Sequence, residues 1–265
     1  TKEYDNELFY GDAFATGIVS VTGPPDDIVI SANAVAEKNT GIYIPLYSSE
    51  EVSETDFITF INSDSATLIS ENGGDDLYAV DLSGFILDFN LEATPDAEIQ
   101  LILDETVGDI IKARGSGNIA MEIDTKGDFT MKGEYTIEEG EYLFTLQNVI
   151  NKKFYIRENS KIIWSGDPYN ANIDLTAIYR LKNVPMYDLT LDEELRNSKF
   201  KVVNCIINMT GNLMTPDIDF AIETPEYKDP ARNPLNNLNE DEINKQFLSL
   251  LIIKRFQPQV GFEPV

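Results

Sequence analysis

The sequence predicts an all-β protein: an antiparallel sheet with one continuous apolar face, followed near the C-terminus by a single amphipathic helix. Three observations predict it. Between residues 125 and 181 apolar and polar residues alternate with a period of two, the signature of strands with one wet and one dry face. Phe129, Met131, Tyr135 and Ile137 point one way, Thr130, Lys132, Glu134 and Thr136 the other. The pattern repeats in Tyr142, Phe144 and Leu146, in Phe154 and Ile156, and in Ile162 and Trp164. It ends with Ile173, Leu175, Ala177 and Tyr179, set against Asn172, Asp174 and Thr176. Turn residues punctuate these runs at Gly127-Asp128, Glu139-Gly140-Glu141, Glu158-Asn159 and Gly166-Asp167-Pro168. Finally, the whole chain divides into about a dozen such runs at the roughly 8–12-residue spacing of an all-β array.

Taken in order, residues 14–21 and 28–34 form a hairpin across a proline-stiffened loop at residues 22–27. A short strand follows at residues 41–46. Residues 48–80 are polar, acidic and in part glycine-bearing, and read as a long loop with at most a brief strand at residues 57–61. Alternation resumes with Phe85, Leu87, Phe89 and Leu91 opposite Asp88, Asn90 and Glu92. Thr94-Pro95-Asp96 turns the chain into residues 97–103. Val107-Gly108-Asp109 leads into residues 110–114, and Gly115-Ser116-Gly117 into a strand carrying Ile119, Met121 and Ile123. Past Leu181 an acidic, helix-like insert covers residues 188–197, and residues 200–209 and 217–222 supply two more strands. Asn239 with Glu242 has the form of a capping box, and Ile243, Phe247, Leu250 and Leu251 recur at helical spacing to about Lys254.

Composition removes several function classes. Among 265 residues there are 46 acidic and 20 basic side chains, a formal net charge of −26 that opposes both phosphate neutralisation on nucleic acid and contact with an anionic membrane face. With 42% hydrophobic and 10% aromatic residues the chain is too apolar for disorder, so its acid belongs on the wet faces of strands. No apolar run is long enough to span a bilayer as a helix. No signal peptide is read in these residues, and the opening Thr1-Lys2-Glu3-Tyr4 is expected to be the start of a piece of something longer. A lone cysteine, Cys205, allows no internal disulfide and sits in a run that reads as a buried strand.

With no histidine, neither a Ser-His-Asp triad nor a typical zinc site can be built. Paired carboxylates are abundant and for that reason uninformative. Gly115-Ser116-Gly117-Asn118-Ile119-Ala120 matches a dinucleotide fingerprint in letters, but it opens a strand, so a hairpin turn is the better reading. The run Glu71 to Asp76 clusters oxygen ligands without a regular calcium-loop spacing. Asn208-Met209-Thr210 matches a glycosylation sequon inside a strand. No catalysis, metal or cofactor is expected.

An apolar sheet face of this extent must be covered. Either the sheet packs against itself, or it curls into a trough that holds an apolar guest. A fatty acyl chain of about sixteen carbons costs on the order of 12 kcal/mol to carry bare through water, so a greasy conduit removes a large barrier. A third use, an extracellular carbohydrate-binding sandwich, needs Trp164, Tyr169 and Tyr179 as an exposed platform, and the phase of Trp164 with Ile162 opposes it.

The central block resembles the C-terminal domain family of the translocation and assembly module protein TamB, in its Bacteroidota-like form. The resemblance rests on Gly133-Glu134-Tyr135, on Gly140-Glu141-Tyr142 with Phe144, and on the run from Trp164 to Ala171 leading into Ile173 to Ala177. The run Asp167-Pro168-Tyr169-Asn170-Ala171 is its most specific part. The first hairpin, the strand around Phe85 and the terminal helix fall in the same order. The resemblance implies a non-catalytic, bridge-type lipid-transfer protein, anchored in the inner membrane outside this segment and spanning the periplasm. It implies a β-taco trough that passes phospholipid toward the outer membrane. It also implies a partner, a TamA/BamA-type outer-membrane barrel met by strand addition.

The resulting expectation is an elongated, curled antiparallel sheet, an open trough, over residues 1–238, a capping helix over 239–255, and a truncated segment over 256–265. The trough lining is Phe85, Leu87, Phe89, Ile119, Met121, Ile123, Phe129, Met131, Tyr135, Ile137, Phe144, Leu146, Phe154, Ile156, Ile173, Leu175 and Tyr179. Its guest is phospholipid. The main alternative is an assembly module with a fully packed interior that binds the barrel through an open strand edge.

Overall fold

The computed structural model describes residues 10–24, 28–45, 85–104, 109–124, 128–146, 150–186, 188–189, 201–225 and 233–258. Among them thirteen strands form one sheet. The strands β1 (Tyr10–Asp12) and β2 (Ala15–Thr22) run antiparallel to β4 (Gly41–Pro45) and β3 (Ile28–Ala36), respectively. In turn β3 and β4 pair with β5 (Phe85–Ala93) and β6 (Glu98–Asp104), and these two lie against successive halves of β7 (Asp109–Ile123). Beside β7 runs β8 (Phe129–Leu146), whose other side is shared by β9 (Ile150–Ile156) and β10 (Ser160–Gly166). The sheet ends with β11 (Asn172–Val184), β12 (Lys201–Asn212) and β13 (Thr215–Glu223).

These pairings make four of the strand pairs collinear: β1 with β2, β3 with β4, β5 with β6, and β9 with β10. Thirteen strands thus form nine long ribs, laid side by side in chain order. Several expected turns are breaks or bulges inside a rib rather than reversals. Thr94-Pro95-Asp96 joins collinear β5 and β6, and Glu158-Asn159 joins collinear β9 and β10, with Asn159 in the left-handed region at φ +67°. Gly115-Ser116-Gly117 is no hairpin turn but the interior of β7, and Glu139-Gly140-Glu141 lies inside β8. A register shift between Arg114 and Gly115 leaves Glu138 as the extra residue, so the chain bulges and carries on.

The interruptions line up as a crease from the β1–β2 rib to the β9–β10 rib, stitched by polar side chains. Thr40 donates to the Phe14 carbonyl at 2.8 Å and accepts from the Phe14 amide, and Thr94 donates to the Ala36 carbonyl at 2.8 Å. Arg114 reaches Glu98 at 2.9 Å, Ser116 donates to Glu138 at 2.8 Å, and Ser160 donates to the Arg157 carbonyl at 2.7 Å. Small residues lie buried along this line: Ala36, Ala93, Ala97, Ala113 and Gly140.

The sheet is antiparallel except where β3–β4 meets β5–β6, which is parallel. Residues 46–84 connect those ribs, and a connection that long lets the chain return in the same direction. The long-loop reading of 48–80, the brief strand at 57–61 and the clustered oxygens of 71–76 fall outside the described residues. So does most of the acidic insert, of which Asp188 and Leu189 form a turn. The helix α1 (Glu240–Ile253) begins as the sequence predicts. Asn239 accepts from the Glu242 amide at 3.0 Å, and Glu242 accepts from the Asn239 amide at 2.9 Å.

Gly133 has φ +143°, a region essentially closed to other residues, and a Cβ there would run into the Asn118 carbonyl oxygen. The Gly133→Ala variant is expected to lose about 1–3 kcal/mol from backbone strain alone, read as a lower urea midpoint. An unchanged midpoint would place this backbone elsewhere.

Candidate apolar groove

Register assigns the dry face residue by residue, since cross-strand partners share a face. At one end of the sheet Val21, Ile30, Leu87, Ile123 and Phe129 form a row, and Val19, Ala32, Phe89, Met121 and Met131 the next. Two rows further along the strands, Tyr135, Ile162 and Ile173 are neighbours. Beyond the crease Ile99, Ala113, Gly140, Ile156, Ala177, Ile207 and Phe220 continue the same face. The charges lie on the other side, where Lys161 meets Glu134 at 2.6 Å and Lys153 meets Glu141 at 3.0 Å across strands.

The two ends of the dry face differ in cover. Beyond the crease α1 lies on the sheet, and its Phe247 stacks on Phe220 at 4.4 Å and on Phe154 at 6.3 Å. Phe154 in turn meets Phe144 at 5.8 Å, Tyr142 at 6.4 Å and Tyr179 at 5.5 Å. The chain then folds back along the helix: Gln246 exchanges two hydrogen bonds with Gln257, at 2.7 and 2.9 Å, and Arg255 pairs with Asp188 at 3.0 Å. At the other end cover thins out. Phe89, Met121, Phe129 and Met131 are half-buried, and Val19 and Val21 are 68% and 66% exposed.

The expected lining residues therefore fall into two groups. Ile137, Phe144, Phe154, Ile156, Ile173 and Leu175 are buried in the common core with Tyr135 and Ile119, Leu87 and Ile123 are buried outside it, and Tyr179 packs half-buried against Phe154. Phe89, Met121, Phe129 and Met131 remain accessible. Phe85 and Leu146 lie in β5 and β8, and their side chains are outside the described part. Sequence reasoning missed Val19, Val21 and Ala32, although the alternation in the first hairpin carried the signal. It also left out Phe220 and Phe247, whose place on this face depends on where α1 docks. The platform of Trp164, Tyr169 and Tyr179 does not form: Trp164 is 6% exposed on the dry face, opposite Gly133.

Two buried polar groups break the apolar surface. Burial pushes the Cys205 thiol up to about 12, which makes it an inert strand residue. The Tyr135 phenol is raised as well, first by burial and then by the Glu138 carboxylate, and its hydroxyl has no hydrogen-bond partner among the described residues. An unsatisfied buried hydroxyl costs about 1–3 kcal/mol, so Tyr135→Phe is expected to raise stability by about 1 kcal/mol in denaturant titration. A loss of stability would show that the hydroxyl is satisfied in solution.

The segment from Asp167 to Ala171 closes a corner. Asp167 caps the 3-10 turn Pro168–Asn170 by accepting from the Tyr169 amide at 2.9 Å and the Asn170 side chain at 2.6 Å. Asn170 accepts from Asn212 at 3.1 Å, and the buried Ala171 accepts from the Leu213 amide at 2.8 Å. The motif thereby ties the β10–β11 connection to the end of β12. Among the described residues no helix is long and apolar enough to cross a membrane. The family model of the TamB C-terminal domain matches residues 1–261. No curated protein matches the chain.

Proposed function

The chain belongs to the TamB C-terminal domain family, and from that premise we propose that its dry face is a lipid conduit segment. Membership carries a role in the translocation and assembly module of the cell envelope, a non-enzymatic transport and assembly system. In our reading the guest is a phospholipid acyl chain in transit across the periplasm between inner and outer membrane, shielded by the apolar rows that end at Phe89, Met121, Phe129 and Met131. The full-length protein is anchored in the inner membrane by a part outside this chain. A TamA/BamA-type barrel is its outer-membrane partner.

The observation that carries the reading is the uneven cover of one continuous apolar face. It is sealed by α1 beyond the crease, whereas at the other end Phe89, Met121, Phe129 and Met131 stay half-buried beside the buried Leu87 and Ile123. Each methylene placed there rather than in water is worth about 0.8 kcal/mol. The test is mass spectrometry of lipids that co-purify with the protein, repeated on a Met121→Asp, Met131→Asp double variant. Phospholipid in the parent and none in the folded variant supports the conduit.

A second reading draws on the sealed half. The complete burial of Phe154, Phe247 and Leu175 supports a packed assembly module that binds the barrel by strand addition. A folded parent free of lipid would favour it.

A further inference from the structure

The chain holds five methionines, and the structure divides them. Met186 and Met209 are each 1% exposed, in the core. Met214 is half-buried in the turn between β12 and β13, where its amide donates to the Asn212 side chain at 2.8 Å. Met121 and Met131 are direct cross-strand partners on β7 and β8, both half-buried on the dry face. Direct partners have Cβ atoms about 5 Å apart, so the two thioethers cover one patch of the sheet. Phe89 stands opposite Met121 on the next rib, and the row continues through Ala32 to Val19. Every side chain of this row is apolar, but only the two thioethers are readily oxidised.

We propose that the pair Met121 and Met131 is an oxidation site, at which a peroxide-class oxidant turns an apolar patch of the dry face polar and weakens its hold on an apolar guest. Each sulfur is oxidised by two electrons. Its lone pair attacks one oxygen of hydrogen peroxide, an S–O bond forms as the O–O bond breaks, and the proton on the transferred oxygen passes to the departing hydroxide to give water. The sulfoxide is a hydrogen-bond acceptor with no donor nearby in its row, where Val19, Ala32 and Phe89 are hydrocarbon and the backbone amides belong to the strand ladder. An acyl chain laid over the patch would bury that oxygen unpaired, which opposes binding. Susceptibility follows exposure, so Met186 and Met209 are spared. Reduction by methionine sulfoxide reductases, one enzyme per epimer, makes the change reversible. The oxidation site stands on burial and register; its effect on a guest rests on the lipid reading.

The parent protein is treated with hydrogen peroxide for graded times, and each methionine is followed by peptide mass spectrometry. Met121 and Met131 are expected to oxidise at least about tenfold faster than Met186 and Met209. The neutral dye Nile red reads the groove, as the part of its signal that the Met121→Asp, Met131→Asp protein lacks. Oxidation of the pair is expected to raise the dye dissociation constant about tenfold without changing the circular-dichroism signature, and reductases of both epimer specificities with a dithiol should reverse the rise. A Met121→Leu, Met131→Leu protein, compared with itself before and after peroxide, should show no rise, whereas Met214→Leu should respond as the parent does. Core methionines that oxidise as fast as the pair, an oxidised pair that leaves dye binding unaltered, a sheet that unfolds on oxidation, or a Met121→Leu, Met131→Leu protein as sensitive as the parent would overturn the proposal. Phospholipid content is read separately. A parent with neither phospholipid nor groove-dependent dye signal ends the conduit reading and the effect on a guest with it, while the oxidation rates still decide the site.

Discussion

Replacing Phe247 by alanine is expected to cost about 3–5 kcal/mol, the range for deleting a fully buried aromatic ring. The ring is 0% exposed and stacks at 4.4 Å on Phe220 and 6.3 Å on Phe154, so its removal opens a hole between helix and sheet. Partial collapse is restricted because both ends of α1 are held. The capping box fixes its start, and the return of Gln257 and Arg255 onto Gln246 and Asp188 fixes its end. Urea unfolding followed by circular dichroism measures the loss. Ile252, on the same helix but 54% exposed, supplies the internal comparison: Ile252→Ala should fall within about 0.5 kcal/mol of the parent. Equal midpoints for the two variants would mean that α1 does not seal the dry face.

The contrast between these positions shows what the sequence could convey. Helical spacing picks out Ile243, Phe247, Leu250 and Leu251 as the apolar stripe, and the structure buries the last three and half-buries Ile243. What the stripe rests on is a matter of tertiary geometry, so the covering of Phe154 and Phe220 by Phe247 was not legible. Strand parity was legible for the same reason that makes it robust: a one-residue slip would send every side chain of a rib to the wrong face. Phe129, Met131, Tyr135 and Ile137 accordingly share a face with Met121 and Ile119 as expected. The turn signals were the weak part. Gly115 and Gly140 carry the same letters whether the chain reverses or absorbs a bulge, and only the partner strand decides between them. The parallel contact of β3 with β5 is likewise invisible to local pattern, because it is set by the long connection between residues 45 and 85.

The same division of the dry face predicts opposite fates for two aspartate substitutions. Leu175 is 0% exposed, between Met209 on β12 and the core. A carboxylate there loses the burial of a leucine and leaves a charge without a partner, and the cost should exceed about 4 kcal/mol, enough to unfold a domain of ordinary stability. Burial raises the pKa of such a carboxyl above its unfolded value of about 3.9. The folded state then binds the proton more tightly, so Leu175→Asp is expected to regain stability as the pH falls and to lose it as the pH rises through the raised value. Met131 is half-buried at the accessible end, so an aspartate there can keep water, and Met131→Asp should cost only about 1–2 kcal/mol. Loss of lipid from the folded Met131→Asp protein would thus report on the groove itself, whereas loss from Leu175→Asp at neutral pH would report on unfolding. A Leu175→Asp protein as stable at neutral pH as the parent would show that the core around Leu175 admits water, and the open stretch of the trough would then extend past Met131 and Tyr135 toward the crease.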